Sequence, residues 1–335
     1  MKAKLRFGLW YDFRNPPEWR QDPARLYRSA VDQVVRAEAL GWDDVWLSEH
    51  HFIEDGYTPS MLPIAAAIAQ RTSKIRIGTS VLLLPLHDPL RVAEDSATVD
   101  ILSGGRFELG VGAGYRLGEF AGFNIPHKSR DGRMEEQVTI LRRLFAGERF
   151  SFEGKYYRYG EIALRPLPVQ QPMPLWLGGF LPRAIERAAR LGDGFIAIGP
   201  MRAQVDAVLE RRAALGLSTD KYEVAGGLFW LLVARDPERR WREARAHLKY
   251  QIDLYARWFA EVGMQVAIPI RSDEDFVRMG VSIVHPEQAI EKIREYVEQN
   301  RVTRFYGWTI PPGLPPEWSD EHIELMAREV MPAFR

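Results

Sequence analysis

Residues 45–52, Val45-Trp46-Leu47-Ser48-Glu49-His50-His51-Phe52, form an apolar run that ends in a carboxylate, two imidazoles and an aromatic ring. Strand ends are rigid and can turn side chains into a pocket, so an α/β protein builds its site in such places. An imidazole there suits proton transfer near neutral pH or metal ligation. Metal sites on strands commonly use His-x-His, because residues two apart share a face. The chain contains no His-x-His, and the adjacent His50 and His51 point to opposite faces of an extended strand. That geometry argues against a metal centre, and no metal ligand is assigned. His50 is the candidate catalytic residue and His51 its support; burial of both against backbone is the plain alternative.

A second group runs from Asp100 to Tyr115. Its Gly110-x-Gly112-x-Gly114 spacing departs from the Gly-x-Gly-x-x-Gly dinucleotide fingerprint and falls on the fourth strand of a series. The alternation is more informative. Phe107, Leu109, Val111 and Ala113 share one face, and the three glycines share the other. A bare face leaves room for a flat ligand, or for close packing of barrel layers. A third group, Leu177-Gly178-Gly179-Phe180-Leu181-Pro182-Arg183, leads a strand into a helix through two glycines. Free backbone N–H groups and the helix dipole make that start a seat for phosphate, with Arg183 or Arg130 as counter-charge.

Strand-like and helix-like segments alternate around these groups. Strands are predicted at 5–10, 44–48, 75–84, 106–111, 175–177, 194–198, 222–234 and 304–310. Helices are predicted at 23–40, 60–72, 88–102, 129–145, 182–191, 201–215, 237–262, 286–299 and 320–330. Asp88 followed by Pro89 is a strong helix start. Eight strands separated by helices are the arithmetic of a single-domain (β/α)8 TIM barrel over residues 1–335, in preference to a doubly wound open sheet. Two stretches break the period. Residues 148–172 read as an inserted β-hairpin turning at Glu153-Gly154-Lys155, and residues 263–284 as an irregular insertion of the kind that forms lids.

Composition narrows the function. The 45 basic and 45 acidic residues cancel, and no basic run stands out, which argues against nucleic-acid binding. The absence of cysteine excludes disulfides, thiolate metal sites and cysteine catalysis. No apolar run approaches a membrane span, and residues 1–11 lack the features of a signal peptide, so a cytoplasmic protein is expected.

The runs 46–52, 75–85, 87–94 with 100–115, and 174–194, in this order, resemble the bacterial-luciferase-like family of flavin-dependent oxidoreductases. The last run includes Arg-Ala-Ala-Arg-Leu-Gly-Asp-Gly-Phe at 187–195. The resemblance implies a TIM barrel with a flavin at its C-terminal mouth. It places His50 near the reactive face of the ring, preceded by Glu49. Thr79, Ser80 and Val81 would pass the ring, often through a non-prolyl cis peptide. Gly112 and Tyr115 would lie beside it. Arg130, Gly178, Gly179, Phe180, Leu181 and Arg183 would hold its phosphate. Trp10, Trp46, Phe52 and Trp308 are assigned to the substrate side. The chain departs from the luciferase α subunit at Ala113, which replaces an arginine, and at Gly112, which replaces a cysteine. Leu181 and Ala184 lack the hydroxyls found there.

The expectation is a two-component monooxygenase that uses reduced FMN, supplied by a transient flavin reductase, and O2 to oxidise a small organic substrate. The alternatives are a dehydrogenase or reductase that uses a deazaflavin coenzyme, a non-catalytic flavin-binding accessory subunit, and a metal hydrolase. The resemblance also implies a homodimer.

Overall fold

The computed structural model describes residues 4–335; residues 1–3, part of the segment read as lacking a leader, lie outside the described residues. The chain opens with strand β1 (Arg6–Tyr11), helix α1 (Pro23–Ala39), β2 (Asp44–Leu47), α2 (Met61–Arg71), β3 (Arg76–Thr79) and β4 (Leu82–Leu83). There follow α3 (Pro89–Ser103), β5 (Phe107–Gly112), the short α4 (Leu117–Gly122), α5 (Arg130–Phe145) and the strands β6 (Arg149–Glu153) and β7 (Arg158–Ala163). Next come β8 (Leu175–Gly178), α6 (Pro182–Leu191), β9 (Gly194–Ile196), α7 (Arg202–Ala214), β10 (Glu223–Gly226) and β11 (Trp230–Val233). The last part holds α8 (Pro237–Glu261), α9 (Asp273–Arg278), β12 (Val281–Val284), α10 (Pro286–Asn300), β13 (Arg304–Trp308) and α11 (Asp320–Leu325).

Eight parallel strands close on themselves in the order β1, β2, β3, β5, β8, β9, β10, β13 and back to β1. Helices between them cover the outside, as expected of a TIM barrel. The helix starts follow their sequence signals. Asp22, Asp88 and Asp236 each precede a proline, and each carboxylate accepts hydrogen bonds from backbone N–H groups of the first turn. Outward-facing Leu9, Val45, Ile77, Leu109, Leu175 and Phe195 pack in the core that the helices cover.

The barrel interior is filled in layers. At the bottom, the first residues of the strands form an ion-pair network. Arg304 contacts Glu108, Asp44 and Glu223; Arg6 pairs with Asp44 and Arg76 with Glu108. Above it lie Trp46, Trp176 and Tyr306, with the Trp46 ring stacked on Tyr306 at 5.1 Å. The large rings fit because their neighbours are bare: a Cβ on Gly78 would come 2.4 Å from Trp46, and one on Gly194 2.3 Å from Trp176. Trp10 and Trp308, stacked at 3.6 Å, cap this layer at the mouth.

Four segments differ from the sequence reading. The third strand is interrupted where the Ser80–Val81 peptide bond is cis, the non-prolyl cis peptide that the resemblance implied. The seventh strand is two: β10 belongs to the barrel, whereas β11 leaves it after Gly226-Gly227 and pairs with β12 in a separate parallel sheet. At that break Gly226 lies against the Ala197 carbonyl and Gly227 against the Tyr306 carbonyl, closer than any Cβ permits, so neither position admits a side chain. The insertion at 263–284 is consequently not irregular throughout, since it carries α9 and β12. The hairpin is shorter than the predicted 148–172, with antiparallel β6 and β7 followed by an extended segment. Among the described residues, no helix is long and apolar enough to cross a membrane.

Candidate active site

The loops at the C-terminal ends of the strands surround a cavity of about 1480 Å3. Its floor is Trp10 and Trp308. Ser80, Val81, Gly112, Gly178 and Ile196 form one side, and α8 with the insertion forms the roof. His50 lies in the wall next to Glu49 and Ser48.

The two histidines lie in the segment past the end of β2 and their side chains diverge. His50 Nδ1 lies 2.7 Å from Glu119 Oε1, and that oxygen also accepts from the His51 backbone N–H at 3.0 Å and from Arg116 Nη1 at 3.1 Å. Burial alone would raise the Glu119 carboxyl; the His50 charge and hydrogen bond, the His51 N–H and Arg116 outweigh it and hold it below the usual carboxylate range. The His50 ring is enclosed by Tyr57, Trp258, Tyr115 and Tyr255, with centroids 4.7, 4.9, 5.8 and 6.1 Å away.

His51 turns the other way. Its Nε2 and that of His87 each lie 2.7 Å from Glu49 Oε1, while Glu49 Oε2 accepts from Leu83 N–H at 2.6 Å. Burial pushes the Glu49 carboxyl up, but the two imidazoles bring it down to about 2. These three side chains place possible metal-ligand atoms within 4.8 Å of one another. The grouping was not foreseen, because His87 lies far along the sequence. Its hydrogen bonds account for it without an ion.

The cavity brings together most of the candidate residues. Trp10, Glu49, His50, Ser80, Gly112, Tyr115, Arg130, Gly178, Gly179, Phe180, Leu181 and Trp308 line it. Four assigned residues lie elsewhere, each for a physical reason. Trp46 is one layer below the mouth, inside the barrel and 1% exposed. Phe52 stands beyond the strand end with φ +58°, its ring 66% exposed and packed against Phe123. Thr79 faces away from the cavity and exchanges hydrogen bonds with Gly110, joining β3 to β5. Arg183 lies on the exposed side of α6. The bare glycine face is also narrower than expected. Gly110 is covered by the Thr79 carbonyl, Gly112 by the Val81 side chain, to which a Cβ would come within 2.6 Å, and Gly114 adopts φ +71° against Phe120.

Sequence reasoning missed Glu119, Tyr57, His127 and the α8 residues. Arg116 and Glu119, spaced i,i+3 just past a strand end, were the available signal for the first. Tyr255, Trp258, Phe259 and Val262 form an i,i+3,i+4,i+7 stripe, which reads as ordinary core packing.

Gly112 and Gly178 pack against Val81, to whose methyl carbons a Cβ would come within 2.6 and 3.2 Å, and Ser80, Val81, Gly112 and Gly178 together line that side of the cavity. Beside it, α6 begins without a side-chain cap, and Arg130 and His127, 3.4 Å apart, open on the same cavity. Backbone donors and a guanidinium suit a phosphate.

The chain is a TIM barrel with its cavity at the C-terminal ends of the strands, and its relatives place it among oxidoreductases. The model of the luciferase-like monooxygenase family matches residues 5–303, and the chain belongs to that family. It is 32% identical over 294 residues to an F420-dependent glucose-6-phosphate dehydrogenase of Intrasporangium calvum, covering 81% of this chain and 86% of that protein. It is 38% identical over 176 residues to the enzyme of the same name from Amycolatopsis mediterranei (strain U-32), of which the match spans about half (53%). In fold it is similar to the monooxygenase RslO1 of Streptomyces bottropensis, with TM-score 0.84 and 24% identity over 99% of this chain and 100% of that one. It is also similar to the oxygenating constituent of 3,6-diketocamphane monooxygenase of Pseudomonas putida, solved with FMN, with TM-score 0.81 and 19% identity over 99% of both chains. At these identities the two structures speak for the fold alone.

Proposed function

We propose that the chain is a deazaflavin-dependent oxidoreductase that interconverts an alcohol and a carbonyl compound at the barrel mouth. One observation carries the choice of coenzyme. The cavity does not end at the His127–Arg130 corner but continues under the insertion to Arg278 and Lys292. At about 1480 Å3 it exceeds the ~300–1,000 Å3 typical of small-ligand pockets. That room suits a coenzyme with a longer anionic tail together with a substrate. The F420-dependent relatives support the same reading, which was the alternative at the sequence level.

A bound deazaflavin supplies hydride-accepting and hydride-donating chemistry. Ser80, Val81, Gly112 and Gly178 would flank its ring, and Arg130, His127 and the start of α6 would hold its phosphate. Glu119 occupies Nδ1 of His50, so proton exchange with the substrate oxygen falls to Nε2. The aromatic rings around His50 keep water from that proton.

A second reading, an FMN-dependent monooxygenase served by a flavin reductase, is favoured by that same enclosed setting of His50, since oxygen chemistry requires a dry site. Titration of the purified protein with F420 and with oxidised and reduced FMN, followed by absorbance and fluorescence quenching, separates the two. Tight binding of F420 alone supports the first reading. Tight binding of reduced FMN alone overturns it in favour of the second.

A further inference from the structure

We infer that Arg14 is a positioning residue of the candidate centre: its buried guanidinium holds Tyr57, Tyr255 and Trp258, three of the four rings that enclose His50, and so keeps that enclosure shut. This rests on the reading of His50 as the proton-exchanging group. Arg14 itself neither lines the cavity nor bonds to His50.

Arg14 lies three residues past the end of β1. Phe13, just before it, has φ +55°, a left-handed conformation that bulky residues rarely adopt. The Arg14 backbone N–H donates to Asp12 Oδ1 at 3.4 Å, and the Asn15 N–H to the Asp55 carbonyl at 2.6 Å. The Arg14 side chain carried by this turn is fully buried, and its Nε donates to the equally buried Asp55 Oδ2 at 2.7 Å. Burial works against the charge, but Asp55 and Asp12 outweigh it and hold the guanidinium above its ordinary range.

The rest of the guanidinium faces rings instead of oxygens. Among the described residues, Nη1 and Nη2 are buried and have no hydrogen-bond partner. The Arg14 Cζ lies 5.2, 5.4, 5.9 and 6.0 Å from the ring centroids of Tyr57, Tyr250, Trp258 and Tyr255. A cation within about 6 Å of a centroid is drawn to the ring's negative face, and more strongly where water is excluded. Tyr250 is secured further by its hydroxyl, which donates to Asp55 Oδ2 at 3.1 Å. Tyr57 comes from the loop after β2, whereas Tyr250, Tyr255 and Trp258 come from α8. One cation therefore fastens the roof helix to the barrel mouth.

Three of those four rings are neighbours of the His50 ring, with centroids 4.7 Å (Tyr57), 4.9 Å (Trp258) and 6.1 Å (Tyr255) from its own. The Tyr57 and Tyr255 hydroxyls are 3.0 Å apart, and Tyr57 donates to Ser48 Oγ at 2.8 Å, which ties these two rings together. Arg116 also meets Trp258, at 4.4 Å, but its Nη1 is engaged with Glu119 Oε1 and the His51 carbonyl and so serves the Nδ1 side of the imidazole. Glu119 occupies Nδ1, which leaves Nε2 as the nitrogen whose access the rings control. A lysine in place of Arg14 would keep a charge beside Asp55. Its ammonium is a compact, strongly hydrated point charge without the flat face that several rings can share.

The test is carbethoxylation of the coenzyme-free protein by diethyl pyrocarbonate, which acylates an accessible neutral imidazole nitrogen, with each histidine followed by peptide mass spectrometry. The variants are Arg14→Lys and Arg14→Met. His50 is expected to react about fivefold faster or more in Arg14→Lys, the worth of one lost cation–π contact, and about tenfold faster or more in Arg14→Met. His322, buried on α11, is expected to keep its wild-type rate and so to report an intact fold. A smaller acceleration of His50 in Arg14→Lys overturns the inference, and that variant decides alone if Arg14→Met does not fold. Acceleration of His50 and His322 together also overturns it, because that pattern marks general loosening and not an opened enclosure. Coenzyme titrations run alongside keep the two readings apart. Faster carbethoxylation of His50 without F420 binding defeats the proposed function and leaves this inference standing; F420 binding with an unchanged His50 rate does the reverse.

Discussion

Glu119 Oε1 stands 2.7 Å from His50 Nδ1 and accepts at the same time from the His51 backbone N–H and from Arg116. One carboxylate oxygen therefore fixes the ring orientation of His50 from the short helix α4, which follows β5, two strands away from β2 in the barrel. His50→Gln is expected to lower kcat by about 10²–10⁴, the usual worth of a general acid–base group. Glu119→Gln should lower kcat by less and leave the coenzyme Kd within about twofold, because its hydrogen bond reaches His50 and not the coenzyme ring. Steady-state kinetics combined with coenzyme titration checks this. A loss confined to coenzyme affinity would show that Glu119 does not act through His50.

Acid should destabilise the fold in two stages. Burial pushes His322 down to about 4 from its ordinary 6.5, so its neutral form stabilises the fold above pH 6.5, and that contribution is lost as pH falls toward 4. Glu49 is held near 2 against an ordinary 4.5 despite its burial, so its contribution is intact above pH 4.5 and is lost toward pH 2. The second stage is worth on the order of 3 kcal/mol. Urea unfolding across pH 2–8 should show both, and Glu49→Gln should remove only the lower one.

The seat of Val81 in the cavity wall depends on Gly112. Gly112→Val places branched carbons where even a Cβ would approach Val81 to 2.6 Å. Coenzyme affinity should fall by tenfold or more, since Val81 is displaced from its place in the cavity wall and about 1–3 kcal/mol of overpacking is introduced. Arg130→Ala should instead weaken the phosphorylated coenzyme and leave a phosphate-free ring analogue unaffected. Equal loss for both ligands would place Arg130 outside the phosphate seat.

The charged layer under the site is a stability element. Glu108 is buried and held below the usual carboxylate range: burial raises it, but Arg304 and Arg76 outweigh that effect. Glu108→Gln leaves buried guanidinium charge uncompensated and should cost about 3–5 kcal/mol in chemical denaturation. A cost under about 1 kcal/mol would mean that water reaches the barrel floor.

The barrel could be read from the sequence because its signals are local. Asp-Pro helix starts, glycine stops and an even spacing of apolar strands need no knowledge of the partner segment. His50 could be read because it closely follows the end of such a strand, three residues past Leu47. The misassignment of Trp46 came from counting apolar residues without the layer in which each one sits; two residues along a strand separate the packed core from the mouth. Glu119, Tyr115 and Trp258 meet His50 from three different elements, and only closure of the barrel sets those distances. The break at Gly226-Gly227 was hidden because two apolar strands joined by glycines look like one.

That break separates inheritance from novelty in this molecule. β11 takes β12 as its partner and so borrows no hydrogen bond from the ring of eight. Residues 263–284 can lengthen, shorten or be exchanged while every barrel register stays in place. The ring of eight strands is therefore fixed by its own pairing, and the roof is the part free to change. Grafting that segment from a relative should transfer preference among guests without rebuilding the proton-handling centre beneath it.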